Sequence, residues 1–266
     1  MSTIARSEAS RTTEAAPRPI PLARVVAVEL GKMFDTRSGA WLMASIVITA
    51  ALASLAVVLF APDDQVTYDT FAAATGIPVT IVLPIIAALS VTSEWSQRSG
   101  LTTFTLVPHR SRVICAKAIA TVLVAIASMA VAFGVGAIGN LVGSTVNGTE
   151  IVWDMSWAQS WTIPLGNILG MLLGFALGVL LRSSVAAIVT YLLYAMVLPP
   201  LAGLLAATQP WFADLQPWVD FAGAHTVLFD GQPTGDQWAH LATATALWVM
   251  VPLTSGLLLV RRAEVK

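Results

Sequence analysis

Charged residues are scarce in this sequence, and so is cysteine. Only 11% of the 266 residues are Asp, Glu, Lys or Arg, whereas a soluble domain carries roughly 25%. Apolar residues make up 56% of the chain, and the mean hydropathy is +0.78. This composition argues against a water-soluble fold. The single cysteine, Cys115, excludes an internal disulfide and a cysteine-rich metal cluster, and we expect it to be a small buried residue.

The first 19 residues lack the apolar core of a secretory signal peptide. Their polar composition predicts a disordered tail over 1–19. Long apolar runs begin only near Ala40. The hydrophobic part of the protein is therefore expected to follow this tail and a short segment after it.

Six apolar segments are each long enough to cross a bilayer, which takes about 20 residues in a helix. They are continuously apolar and lack the alternation of a barrel strand. We therefore predict an all-α integral membrane protein, a six-helix transmembrane domain over 39–262. The predicted spans are 40–61, 71–92, 113–139, 161–181, 185–207 and 239–260.

The charges between these spans predict the orientation of the bundle. All 14 Lys and Arg residues fall on one side of the six predicted crossings, and the loops on the other side carry only Asp and Glu. Because cytoplasmic loops are enriched in Lys and Arg, we expect both termini to be cytoplasmic. The loop over 208–238 is then extracellular or re-entrant.

The predicted spans have no Asp, Glu, Lys or Arg near their centres. Ion-coupled carriers usually keep ionisable groups there, so this class is disfavoured. No catalytic arrangement such as HExxH or Ser/His/Asp is evident. The Gly31-Lys32 pair lacks the rest of the phosphate-binding pattern GxxxxGK[ST]. We expect no enzyme activity, metal, cofactor or nucleic acid for this chain, and any ATP to be bound by a separate subunit.

Residues 20–38 are predicted to form an amphipathic helix that lies in the membrane interface. Glu29 lies within its apolar arc, where a carboxylate is costly unless it is paired, and Lys32 or Arg37 could pair with it. The segment is either a simple anchor or a docking element. Its apolar residues recur at about 100° per residue: Leu22, Val25, Val26, Leu30 and Met33.

The longest loop on the basic side covers 93–112, with the sequence SEWSQRSGLTTFTLVPHRSR. Glu94 and Arg98 are spaced to support a short helix, and Pro108 should end it. Trp95 and the other apolar residues of this loop would be unfavourable in a loop that is exposed to water. They either lie on the lipid interface or fill a groove on a partner, and we favour the partner.

This loop resembles the cytoplasmic loop of bacterial permease subunits of the ABC-two exporter class. The resemblance lies in the order of Glu94, Trp95, Arg98, residues 100–103, Leu106, Pro108, Arg110 and Arg112 between the second and third spans. The segment before the first span is similar to the elbow helix of that family at Glu29, Lys32 and Arg37. The likeness covers essentially the whole chain.

The resemblance implies a permease of a bacterial plasma membrane that exports a hydrophobic or amphipathic substrate such as a drug, lipid or natural product. Two permeases, alike or different, would pair over two ATP-binding subunits, which would hold ATP and Mg²⁺. The implied coupling residues are Glu94, Trp95, Arg98, Pro108, Arg110 and Arg112. An alternative is a membrane subunit that anchors or senses for a partner complex without transporting anything.

Four glycines recur every four residues in the fourth predicted span: Gly166, Gly170, Gly174 and Gly178. On a helix this spacing produces a smooth face that a second helix can approach closely. The contact is expected within the chain rather than between two permeases.

Overall fold

The computed structural model describes residues 20–35, 37–96 and 110–262. The predicted tail 1–19 and most of the loop 93–112, including Arg98 and Pro108, lie outside the described residues.

Throughout the described residues the regular secondary structure is helical, and the predicted N-terminal helix is present. The helices are α1 (Leu22–Asp35), α2 (Arg37–Phe60), α3 (Tyr68–Ser96), α4 (Arg110–Asn147), α5 (Trp157–Leu181), α6 (Ser184–Met196), α7 (Leu198–Thr208), α8 (Pro210–Val219), α9 (Phe221–Thr226), α10 (Gly235–Thr245) and α11 (Val251–Arg262). A short 3₁₀ turn covers Asp63–Gln65, and a π-helical segment, Ala246–Met250, joins α10 to α11.

Six helical stretches are long and apolar enough to cross a membrane, so the predicted number is confirmed and the chain is a multi-pass helical membrane protein. The stretches are Gly39–Phe60, Tyr68–Trp95, Ser111–Asn147, Trp157–Leu181, Ser184–Thr208 and Gly235–Val260.

The third stretch is much longer than the predicted 113–139. Hydropathy falls after residue 139, but the helix continues to Asn147. Its polar side chains find partners near that end: Asn140 Nδ2 donates to the carbonyl of Val152 at 3.0 Å, and Asn147 Nδ2 donates to that of Val58 at 3.3 Å. A polar side chain therefore did not mark the end of the helix.

Prolines explain why the last two stretches are not single regular helices. The fifth breaks at Val197, so that Pro199 and Pro200 fall in the first turn of α7, where a missing backbone N–H costs little. In the sixth, Pro252 cannot donate to the carbonyl four residues earlier, and the π-helical segment ends two residues before it, at Met250.

The core lies where α3 packs against α4 and α5. Its fully buried side chains include Leu83, Met129 and Phe175. Helices α2, α6 and α7 instead bury few of their side chains inside the protein, as expected for helices that contact lipid. Cys115 is exposed, so the prediction that it is buried is wrong. It lies on the outer face of α4, while its neighbours Ile114 and Ala116 face inward.

The glycines of the fourth span lie against other parts of the same chain. A Cβ on Gly174 would come within 2.3 Å of the carbonyl oxygen of Pro84, and one on Gly178 within 3.0 Å of that of Ala88, so these glycines allow α5 to approach the backbone of α3. Gly166 and Gly170 lie against Phe229 and His225, respectively.

The bundle has two ends that differ in charge. We call one the basic end: it carries α1, the last turn of α3, the start of α4 and the turn between α5 and α6, where the hydroxyls of Thr92 and Ser184 are 2.8 Å apart. We call the other the acidic end. There the backbone N–H of Asp69 donates to Asp154 at 2.9 Å, and Gln159 donates to the Asp69 carboxylate at 2.8 Å.

Candidate functional site

Helix α1 rests on protein along its apolar side. Val25 and Val26 are buried against Ala116 and Ala120 of α4. The charged residues Arg24 and Asp35 are exposed on the same helix. This division between apolar and charged sides is what an amphipathic helix needs to lie on an apolar surface, and here α4 supplies part of that surface.

Glu29, in the middle of α1, is only 4% exposed, and its carboxylate is bound by two lysines. Lys32 Nζ donates to Oε1 at 2.7 Å. Lys117 of α4 donates to Oε2 from 88 positions further along the chain. Of the two partners considered from the sequence, Lys32 pairs with Glu29, while Arg37 is exposed.

Glu94, in the last turn of α3, meets the same two lysines. Its Oε1 lies 3.2 Å from Nζ of Lys32 and 3.1 Å from Nζ of Lys117. The side chain is 5% exposed. Glu94, which the resemblance places at the surface of a partner, thus directs its carboxylate into the chain.

Glu29, Lys117, Glu94 and Lys32 together form a closed ring of alternating charge, which we call the ionic ring. Two carboxylates and two ammonium groups make the ring electrically neutral. Glu29, Glu94 and Lys117 are each 5% exposed or less, whereas Lys32 is 44% exposed. Alternation matters here because a buried charge is tolerated only when it is paired and hydrogen-bonded.

Two opposing effects set the pKa of Lys32. Burial disfavours its ammonium form, but the hydrogen bond and negative charge of Glu29, together with Glu94, outweigh burial and raise the pKa above its ordinary value of 10.5. Lys32 is therefore charged at neutral pH.

The ionic ring lies at the base of the segment 97–109. Glu94 is three residues before this segment and Lys117 is eight residues after it, so the ring joins its two stems to each other and to α1. Arg112 adds a second link, because its guanidinium donates to the carbonyl of Ile20 at 2.5 Å. Trp95 is half-buried and packs against the main core.

Lys117 is one of the basic residues around the loop 93–112 but lies inside the predicted span 113–139, and its role in the ionic ring was not predicted from the sequence. A lysine within a span needs a carboxylate partner. Two glutamates on the same side of the membrane, Glu29 and Glu94, were the available signal.

Among the described residues, Glu29, Glu94 and Lys117 are the buried side chains that carry formal charge, and all three belong to the ionic ring. The same residues contain no group of three or more His, Cys, Asp or Glu able to hold a metal. Deeper polar side chains bond to backbone: Asn167 Nδ2 donates to the carbonyl of Ile163, in its own helix, at 3.0 Å. The middle of the bundle offers no charged group in the described part of the chain.

At the acidic end, the short helices α8 and α9 form a cap. A ring nitrogen of His225 lies 2.7 Å from the carbonyl oxygen of Gly166 in α5. Trp248 donates to the carbonyl of Val219 at 2.7 Å. Burial lowers the pKa of His225, and the hydrogen bond to Gly166 only partly opposes this shift. The loop 208–238 is thus an ordered helical layer held on α5.

Compared with protein-family models and with curated proteins, the sequence matches none. Two features of the described residues bear on the function of the chain: in that part of the chain the middle of the bundle lacks charged groups, and a neutral ionic ring lies at the base of the segment 97–109.

Proposed function

We propose that this chain is the permease subunit of an ATP-driven exporter similar to the ABC-two class. It would move a hydrophobic or amphipathic substrate outward with energy from a separate ATP-binding subunit. Two permeases would pair over two ATP-binding subunits in a bacterial plasma membrane, as the sequence resemblance implies, with the basic end in the cytoplasm.

The location of the buried charges carries this proposal. A carrier driven by protons or sodium needs ionisable or coordinating groups along its path. In the described residues, the buried formal charges are confined to the ionic ring at one end of the bundle. We therefore expect the bundle to change shape when a separate ATP-binding subunit acts on one of its ends.

The segment 97–109 is the proposed point of contact with that motor. In the sequence, it connects two long helices, α3 and α4, that contribute to the core. Its sequence combines charged and apolar residues, including Arg98 and Pro108. A movement imposed on the segment would therefore reach two central helices directly.

The test begins with isolation of the tagged chain from its native membrane, together with any bound ATP-binding subunit. The complex is reconstituted in vesicles, and the uptake of a rhodamine dye and of a fluorescent phospholipid is measured with and without ATP. We expect ATP-dependent movement of at least one probe. Bound subunits that hydrolyse ATP without moving either probe would instead favour a non-transporting anchor or sensor.

The contact itself is tested by Arg98→Ala. Arginine is enriched among the interface residues whose truncation weakens binding about tenfold or more, so we expect the affinity for the ATP-binding subunit to fall by about that factor. Arg24→Ala is the matched control, because Arg24 is an exposed arginine at the same end of the bundle but outside the segment. Equal affinities for the two variants would contradict the assignment of the contact to 97–109.

A further inference from the structure

The ionic ring joins three parts of the chain that are distant in sequence. Glu29 and Lys32 belong to α1, Glu94 to the end of α3 and Lys117 to the start of α4. The last two residues lie on the stems that enter and leave the segment 97–109. A displacement of this segment would therefore act on α1 through the ring.

Stability alone does not account for charged residues at this place. Replacing a buried ionic network by apolar residues of similar volume is often neutral or stabilising. An apolar contact between α1 and α4 already exists at Val25, Val26, Ala116 and Ala120. The ring adds a constraint on orientation. Each ammonium group has to contact both carboxylates, and this requirement fixes the orientation of α1, α3 and α4 relative to one another.

We propose that the ionic ring fastens α1 to both stems of the segment 97–109, which are the end of α3 and the start of α4. The helix α1 and the two stems then move as one body when the ATP-binding subunit acts on the segment. Glu29 and Lys117 are then positioning residues for energy coupling. This inference rests on the proposed function, and it assigns α1 an active part rather than that of a simple membrane anchor.

The alternation of charge around the ring determines which substitutions can test the proposal. Removing one member leaves a buried charge unpaired, which is strongly destabilising, so the members are removed in neutral pairs. Glu29→Gln with Lys32→Met removes both charges of α1 and leaves Glu94 paired with Lys117. Glu94→Gln with Lys117→Met removes both stem charges and leaves Glu29 paired with Lys32 within α1.

The experiment measures, in reconstituted complexes, the amount of probe moved per ATP hydrolysed, the affinity for the ATP-binding subunit and the thermal midpoint. In both double variants we expect probe moved per ATP to fall about fivefold or more, the lower range of allosteric coupling between sites. The affinity should change by less than about twofold, because the segment 97–109 itself is intact.

The matched control is Arg24→Gln with Asp35→Asn. It removes one positive and one negative charge from α1, as the first double variant does, but at exposed positions. Its ratio of probe to ATP should equal that of the unmodified chain. A similar fall in the control would overturn the inference, and so would a lower thermal midpoint with an unchanged ratio, since the ring would then have only a structural role.

A measurement on the intact ring covers the case in which the double variants do not fold. Spin labels are attached at Arg24→Cys on α1 and Ser111→Cys on α4, both exposed positions, in a Cys115→Ala background. If the helices move as one body, the distance between the labels in the ATP-bound complex should stay within about 2 Å of that in the nucleotide-free complex. A larger change, such as the shift of about 5.4 Å that moves one helix past another by a full turn, would overturn the inference.

Failure of the proposed function would give a different result. The unmodified chain would then bind no ATP-binding subunit or move no probe with ATP. The inference about the ring fails separately, when the unmodified chain transports and the neutral double variants transport equally well per ATP.

Discussion

Gly174 and Gly170 lie on the same side of α5, one turn apart, yet alanine should have opposite effects at the two positions. At Gly174 the added Cβ would be 2.3 Å from the carbonyl oxygen of Pro84 and 2.7 Å from its carbonyl carbon. An ordinary carbon–oxygen contact is about 3.3 Å. Since the obstacle is the backbone of α3 rather than a flexible side chain, α3 and α5 would have to separate by about 1 Å.

The magnitude of each effect follows from these contacts. Overpacking of this kind costs about 1–3 kcal/mol, occasionally more. At Gly170 the nearest atom to an added Cβ is Nε2 of His225, at 3.5 Å, which is an ordinary contact. There the higher helix propensity of alanine should dominate and stabilise by up to about 1 kcal/mol. The two variants should therefore differ by about 1–4 kcal/mol.

The assay heats each purified variant in the same detergent and follows the fraction that remains monodisperse. A chain of this size shifts its midpoint by about 2–4 °C per kcal/mol, so Gly174→Ala should lie at least about 2 °C below Gly170→Ala. Gly170→Ala should equal or exceed the unmodified chain. Equal midpoints for the two variants, or a lower one for Gly170→Ala, would refute the close approach of α5 to Pro84.

Two further predictions concern the cap and the orientation of the bundle. Burial lowers the pKa of His225 from its ordinary 6.5, so the neutral side chain stabilises the fold fully above pH 6.5 and this stabilisation is lost as the pH falls below 6.5. The thermal midpoint should therefore fall more steeply on acidification in the unmodified chain than in His225→Gln. Parallel slopes for the two proteins would contradict this prediction. In a Cys115→Ala background, Asp64→Cys should react with a membrane-impermeant maleimide added to whole cells, whereas Ser111→Cys should not, and the reverse pattern would invert the predicted orientation.

Hydrophobic length was enough to predict the number of spans, because crossing a bilayer requires a minimum run of apolar residues whatever they pack against. The arc of α1 and the need of Glu29 for a partner could be predicted as well. Both follow from helical periodicity and from the cost of a buried carboxylate. Each of these properties is local or belongs to one side chain.

What could not be predicted depends on contacts between distant parts of the chain. Lys117 meets Glu29 across 88 positions, and no local pattern gives that pairing. Cys115 was expected to be buried, but a transmembrane helix is apolar on all sides, so hydropathy does not tell its protein side from its lipid side. The extension of α4 to Asn147 depends on carbonyl groups supplied by Val58 and Val152.

The length of α4 has a mechanical consequence. Its 38 residues make a rod about 57 Å long at about 1.5 Å per residue, nearly twice the roughly 30 Å of the hydrocarbon layer. A tilt of about 5° around its midpoint would displace each tip by about 2.5 Å, since the tips are about 28 Å from that pivot. A displacement of the Arg110 end would thus move the Asn147 end, at the other end of the bundle, in the opposite direction.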